Sequence, residues 1–333
     1  MINNIQILRA IAVLMVIGCH SSGLVYKYGF DFNGFIKVGR WGAFGVDIFF
    51  VISGYIMAMI DSTKHKTPLE FIKDRAARII PTYWICTLLL IGMQTFLPWL
   101  FNGSIQPLEQ NIASLLFISN FFGYTYPTIY VGWSLEFEAF FYVVFALCLF
   151  IKDSLFKTIL LMVVIFLSSL FGIIKPIAIE FCYGVLIYHL VSRYRLSSKL
   201  NARYFILAIL VSLYIMSLSL IVPVDIIPTW RRPLIVGVVS FFLVLSSVVC
   251  RDFKKGILTY IGDASYSMYL IQVFSLPLII KMSSKFLPNV DGLLIFFLCA
   301  LFTVACGIVF YEVVEKNIIN IIRKRKLSFF KLI

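Results

Sequence analysis

Apolar runs long enough to cross a bilayer recur from Ile5 to Tyr311, and they constrain this chain more than any other feature. A hydrocarbon core about 30 Å thick takes roughly 17–25 helical residues. Inside it every backbone N–H and C=O must be satisfied within the segment, which a helix does. The runs cover approximately 5–24, 43–60, 82–101, 133–151, 158–174, 176–192, 204–222, 234–250, 257–280 and 292–311. Composition points the same way: 61% of residues are hydrophobic and 14% charged, with a mean hydropathy of +0.97. Soluble domains carry about 25% charged residues. The predicted fold is all-α, a polytopic membrane bundle of about ten transmembrane helices. It forms one unit over residues 1–315, followed by a basic tail at 316–333. No internal repeat or low-complexity linker divides it.

The first run reads as a span and not as a cleaved signal peptide. No basic segment precedes it, Arg9 lies inside it, and no small-x-small cleavage site follows. The seven cysteines are scattered singly through the apolar runs without a CxxC or metal-like spacing, so they read as packing residues and no metal site is expected.

A net charge of +13 could suggest nucleic acid, but its distribution argues for a membrane. With Arg9 set aside and the N-terminus inside, 20 basic residues fall on the inner side and 8 on the outer. The stretch 102–132 has no Lys or Arg at all. The positive-inside rule then places both termini in the cytoplasm, and the basic tail around Arg323–Lys326 against anionic lipid. Ile112–Phe122 is apolar but short, and reads as a re-entrant or interfacial segment. Were it to span, every later helix would flip and the charge sorting would degrade.

A charged side chain at membrane depth costs about 2.5–3.5 kcal/mol or more, so each one needs an explanation. Arg9 and His20 lie eleven residues apart on the first run. That spacing brings them to within about 20° of one helix face, roughly 16 Å apart along its axis. Arg75 and Arg78, at i and i+3, share a face at the cytoplasmic side. Asp47, Glu138 and Glu180 fall toward the outer side, near His20 in depth. Glu136, two residues from Glu138, points in a different direction. The result is two layers. A histidine beside carboxylates suits proton transfer, and an arginine cluster suits a phosphate-bearing ligand. Plainer readings stand beside these. Arg75 and Arg78 could be positive-inside anchors, Arg9 could snorkel, and His20 could be a satisfied packing residue. Asp47 and Glu138 could pair with Lys37 or Arg40 of the outer loop. His65 and His189 read as ordinary loop and interface histidines.

These residues fall in motifs that resemble the acyltransferase-3 family of bacterial membrane acyltransferases, especially its short exopolysaccharide-modifying members. Arg9 through His20 has the family's Arg-x10-His arrangement. Gly45-Val46-Asp47-Ile48-Phe49-Phe50-Val51-Ile52-Ser53-Gly54-Tyr55 resembles its second-helix signature. Arg75-Ala76-Ala77-Arg78-Ile79 with Pro81, Tyr83 and Trp84 is similar to its RxxR stretch. Trp133-Ser134-Leu135 with Glu138, Phe141 and Tyr142 is similar to its W-S-L segment. Glu180-Phe181 with Gly184, and Ser265-Tyr266 with Tyr269-Leu270, match weaker positions. The family's late motif commonly ends in histidine where Gln272 stands here, which leaves His20 as the one deep histidine.

The resemblance implies transfer of an acyl group, usually acetyl from cytoplasmic acetyl-CoA, to a hydroxyl of a surface glycan or its lipid-linked precursor. It implies a multi-pass protein of the bacterial inner membrane. Some members carry a fused extracytoplasmic SGNH domain. None follows the last run here, so the membrane domain is expected to do the chemistry or to pass the acyl group to a separate protein. On this reading Arg9, Arg75 and Arg78 hold the CoA phosphates and His20 acts as general base, oriented by Asp47 or Glu138. An acyl-His20 intermediate is the mechanistic rival. Ser53 and Ser134 read as packing serines and Trp133 as a packing or interface aromatic. Glu180 and Tyr269 are expected to shape the site or the fold. A proton-coupled transporter or a glycan flippase is the competing class. The absence of two related halves counts against the first, and neither a flippase nor a binding scaffold accounts for an RxxR at one face with a histidine at the other.

Overall fold

The computed structural model describes residues 2–30, 41–101, 105–218 and 229–322, and these are organised as helices and their connections. Among them the only β-type pairing is an isolated bridge between Leu200 and Cys250. The helices are α1 (Asn3–Lys27), α2 (Gly45–Lys64), α3 (Pro68–Phe96), α4 (Leu108–Leu115), α5 (Trp133–Cys148) and α6 (Ser154–Leu170). They continue as α7 (Glu180–Tyr194), α8 (Ala202–Leu218), α9 (Val238–Val249), α10 (Ile257–Asp263), α11 (Ser265–Phe286) and α12 (Gly292–Phe310). Six helical stretches are long and apolar enough to cross a membrane: Asn3–Lys27, Trp41–Lys64, Pro68–Phe96, Tyr130–Cys148, Ser265–Phe286 and Gly292–Ile322. Ser154–Leu170, Ala202–Leu218 and Pro233–Val249 are apolar but shorter. Each of the ten expected runs therefore has a helical counterpart, while six meet the length for spanning.

Three boundaries in particular differ from the hydropathy reading. The third helix starts at Pro68, well before residue 82, because Thr67 and Glu70 form a capping box. The Glu70 N–H donates to Thr67 Oγ1 at 3.3 Å and the Thr67 N–H donates to Glu70 Oε2 at 3.0 Å. Pro68 sits at the first helical position, where its missing N–H costs nothing. Local capping thus outranks hydropathy, and Arg75 and Arg78 lie two to three turns inside α3. The ninth expected run is broken at Ala264 into α10 and α11. At the other end α12 passes through a π-helical turn, Tyr311–Glu315, and stays helical to Ile322. The basic residues of 323–333, like Lys37 and Arg40, lie outside the described residues.

α1 runs through the centre, packed on α2, α9, α10, α11 and α12. It has no cap of its own. Its first N–H groups, which a helix leaves orphaned, are met from across the fold: Asn3 and Asn4 donate to the Asp252 carboxylate at 2.8 and 2.7 Å. The Asn4 side chain adds bonds to Ser247 and Arg251 carbonyls at 3.1 and 3.2 Å. Three stacked rings, Phe50, Phe181 and Phe141, tie α2, α7 and α5 together with successive centroids 4.4 Å apart.

α2 and α7 approach backbone to backbone. A methyl group on Gly54 would fall onto the Phe181 carbonyl, and one on Gly184 onto the Val51 carbonyl. Between helices in lipid, where packing replaces the hydrophobic drive, such small residues allow close contact. Gly54→Ala should therefore destabilise the bundle by about 1–3 kcal/mol, the usual range for overpacking, read as unfolding in detergent. Wild-type stability in that variant would mean that the two helices separate without cost.

The segment expected to be re-entrant or interfacial is a helix of eight residues, α4, followed by a 3-10 turn at Ser119–Phe122. At 1.5 Å per residue α4 cannot cross a bilayer. It hangs on two motif aromatics. The Tyr83 hydroxyl lies 2.8 Å from Ser114 Oγ, and Trp84 Nε1 donates to the Leu115 carbonyl at 2.9 Å. Glu136 caps the turn, accepting from the Ser119 and Asn120 N–H groups at 2.9 and 3.0 Å. Glu136 and Glu138 point apart as their spacing requires, with Glu136 buried against this turn.

Candidate active site

A cavity of about 150 Å³ opens between α1, α2, α3, α5 and α11. Arg9, Arg75 and Arg78 all line it. Two of them come from successive turns of α3, where the capping box sets their register, and one from the lower half of α1. The three are tethered differently. Arg9 Nη1 donates to Gln6 Oε1 at 3.3 Å. Arg78 Nη2 lies 3.3 Å from Glu315 Oε1, and Glu315 in turn accepts from Ser267 Oγ at 2.6 Å. The buried Nε of Arg75 has no hydrogen-bond partner among the described residues. A donor of that kind, in a cationic recess, is what an anionic ligand would satisfy.

The middle of the cavity is polar and shared. Ser53 on α2 donates to Glu138 Oε1 at 2.8 Å and lies 3.1 Å from the Tyr142 hydroxyl, which itself donates to Glu138. Toward the other end, Tyr269 on α11 donates to the Val131 carbonyl at 2.8 Å and lies 2.7 Å from Ser134 Oγ. Both motif serines therefore join helices through hydroxyl pairs, and neither has a histidine beside it.

His20 sits beyond this cavity, about one turn of α11 further along than Tyr269. Its Nδ1 is 2.9 Å from Gln272 Oε1. Its ring meets Tyr130 edge to face, with centroids 5.2 Å apart and planes at 82°. The contact expected between His20 and Asp47 or Glu138 is not what the structure shows; each carboxylate is engaged elsewhere. Glu138 belongs to the cavity of the arginines, because it lies more than a turn inside the start of α5. Asp47 is fully buried and paired with Arg232, itself only 1% exposed. Arg232 Nε donates to Asp47 Oδ1 at 3.0 Å and Nη2 to Oδ2 at 2.6 Å. A third bond runs from Nη2 to the Ala43 carbonyl at 2.9 Å, and the guanidinium rests 5.3 Å from the Phe44 ring centre. Glu180, fully buried, adjoins this pair.

Trp133 packs edge-on to Phe50 and Phe137, with Lys175 Nζ 5.9 Å from its ring centre. Burial holds the Lys175 ammonium below the usual lysine range, while Glu136 opposes that shift. His189 Nε2 is 2.8 Å from Thr158 Oγ1, and His65 closes α2 in a left-handed conformation; both stand apart from the cavity. Among the described residues no cluster of three His, Cys, Asp or Glu side chains could hold a metal ion, and all seven cysteines are free.

Two residues of the site carry no motif, Arg232 and Glu315, and the motifs did not show the partnership of Gln272 with His20. Arg232 reads as one more outer-loop cation. Its only signal is its place immediately before Pro233 at the head of an apolar run. Glu315 follows an apolar run among mixed charges and carries no signal.

Comparison with known proteins shows the family. A family model described as an acyltransferase domain matches residues 2–312. The exopolysaccharide production protein ExoZ of Rhizobium meliloti (strain 1021) is 34% identical over 263 residues, covering 72% of this chain and 78% of that protein. The O-acetyltransferase OatA of Staphylococcus aureus (strain NCTC 8325 / PS 47) is 30% identical over 194 residues, covering 53% of this chain and 29% of that protein. No solved structure matches.

Proposed function

Since this chain belongs to the acyltransferase-3 family of membrane proteins, we propose that it moves an acetyl group from cytoplasmic acetyl-CoA to a hydroxyl of a surface polysaccharide or its lipid-linked precursor. The observation that carries the reading is the convergence of Arg9, Arg75 and Arg78 on one cavity that Tyr269 also lines, with the Tyr269 carbonyl bonded to the Gln272 side chain that holds His20. The arginines supply the phosphate end with forked donors. About 16 Å of α1 separates Arg9 from His20, a span that suits the extended arm of a CoA thioester. With both termini in the cytoplasm of a bacterial inner membrane, the arginines face the donor and His20 lies toward the acceptor.

His20 then takes the proton of the acceptor hydroxyl as its oxygen attacks the thioester carbonyl. The carbon–sulfur bond breaks, and the imidazolium returns the proton to the departing thiolate. Ester and free thiol form with no net proton gained or lost. The polysaccharide acceptor rests on the name of the R. meliloti relative, and acetyl on that of the S. aureus relative. The matched part is under a third of the latter's length.

The test uses protein purified in lipid nanodiscs with labelled acetyl-CoA and a polysaccharide or undecaprenyl-linked acceptor. Arg75→Ala/Arg78→Ala should raise the KM for acetyl-CoA about 10-fold or more, since a hydrogen bond to a charged group contributes about 1.5–3 kcal/mol. An unchanged KM, with altered insertion or topology, would make these arginines membrane anchors.

A further inference from the structure

Gln272 stands where the family's late motif commonly has histidine, and its two amide ends are both committed. Its Nε2 donates to the Tyr269 carbonyl at 2.9 Å, and its Oε1 lies 2.9 Å from His20 Nδ1. The side chain is fully buried in the first half of α11, so water cannot substitute for either partner. The first contact orients the second. Turning the amide over would set Oε1 against the Tyr269 carbonyl, two acceptors facing each other with no hydrogen between them. With Oε1 toward His20, the ring nitrogen opposite must carry the hydrogen, because an amide oxygen only accepts.

We propose that Gln272 is a positioning residue that holds neutral His20 as its Nδ1–H tautomer, leaving the unprotonated Nε2 as the base for the acceptor hydroxyl. Which nitrogen of a histidine carries the proton is set by the bond its other nitrogen makes. Here the anchor is an uncharged amide fixed by a backbone carbonyl. The edge contact with Tyr130 limits rotation of the ring. A neutral anchor has a consequence of its own: the site gains tautomer control without placing a second ionisable group beside His20.

This inference rests on the base role of His20, so the experiment separates the two. Initial rates of acetyl transfer are measured in nanodiscs for His20→Ala, Gln272→Met and Gln272→His at matched protein abundance. Methionine keeps the volume and removes both bonds. Histidine restores one acceptor and one donor. The expected result is loss of activity in His20→Ala and a kcat lower by about 10–100-fold in Gln272→Met, the range seen when the outer partner of a metal-bound histidine is removed. The KM for acetyl-CoA should stay within about twofold, since the arginines are untouched. Gln272→His should recover most of the kcat. Full activity in His20→Ala would overturn the base role itself. Wild-type kcat in Gln272→Met, with His20→Ala inactive, would overturn the role of Gln272 alone. Equal loss in the methionine and histidine variants would reduce Gln272 to a packing residue. Should Gln272→Met fail to accumulate, the histidine variant decides: recovery supports the tautomer anchor and loss overturns it.

Discussion

Replacing His20 by alanine should lower acetyl transfer by about 10²–10⁴-fold, the usual contribution of a positioned general base, with little change in the KM for acetyl-CoA. That split follows from the layout. The arginines that would hold the donor line the cavity below, whereas His20 is held separately by Gln272 and Tyr130. A loss confined to kcat means that the missing interaction is made in the transition state. The rival in which His20 carries the acetyl group itself makes a different prediction. Labelled acetyl-CoA supplied without acceptor would then leave label on the wild-type protein and none on His20→Ala. The general-base reading expects no label on either. Transfer at the wild-type rate in His20→Ala, at normal membrane abundance, would remove the residue from the mechanism.

The second large effect concerns stability. Asp47→Ala removes the carboxylate that takes two hydrogen bonds from Arg232, in a site where the arginine is 1% exposed. Removing one partner of a buried ion pair typically destabilises by about 3–5 kcal/mol. The double variant Asp47→Leu/Arg232→Met should recover most of that loss, because the guanidinium leaves together with its carboxylate. Such non-additivity is the signature of two groups acting on each other. Unfolding in detergent micelles, with acetyl transfer followed in parallel, reads both quantities. If Asp47 instead orients His20, Asp47→Ala would depress kcat at unchanged stability, and the double variant would recover nothing. The pair of measurements separates a structural carboxylate from one that works through the histidine.

Much of the candidate site was legible in the motifs, for a physical reason. Arg9, Arg75 and Arg78 are conspicuous because an arginine within or beside an apolar run is costly, and the structure brings all three to one cavity. His20 stands out likewise, by its eleven-residue spacing from Arg9. The partners were not legible. Depth along each helix made Asp47 and Glu138 plausible neighbours of His20, but depth says nothing about rotation around the axis or about which helices touch. Asp47 turns toward Arg232 and Glu138 toward Ser53 and Tyr142, while the histidine meets a glutamine 252 residues away.

Hydropathy and charge settled the class of molecule. Apolar runs of spanning length leave a chain no soluble fold, and backbone satisfaction in lipid then requires helices. The same order of residues marked the family and the cationic recess. Only the packed bundle decided which charged groups neutralise one another and where α3 begins relative to its arginines. It also decided what holds His20. Those outcomes depend on contacts between helices far apart in the chain, and on a capping bond that outranks hydropathy. A periodic pattern reports which face is apolar and how deep a residue lies; it carries no information about the partner on the facing helix.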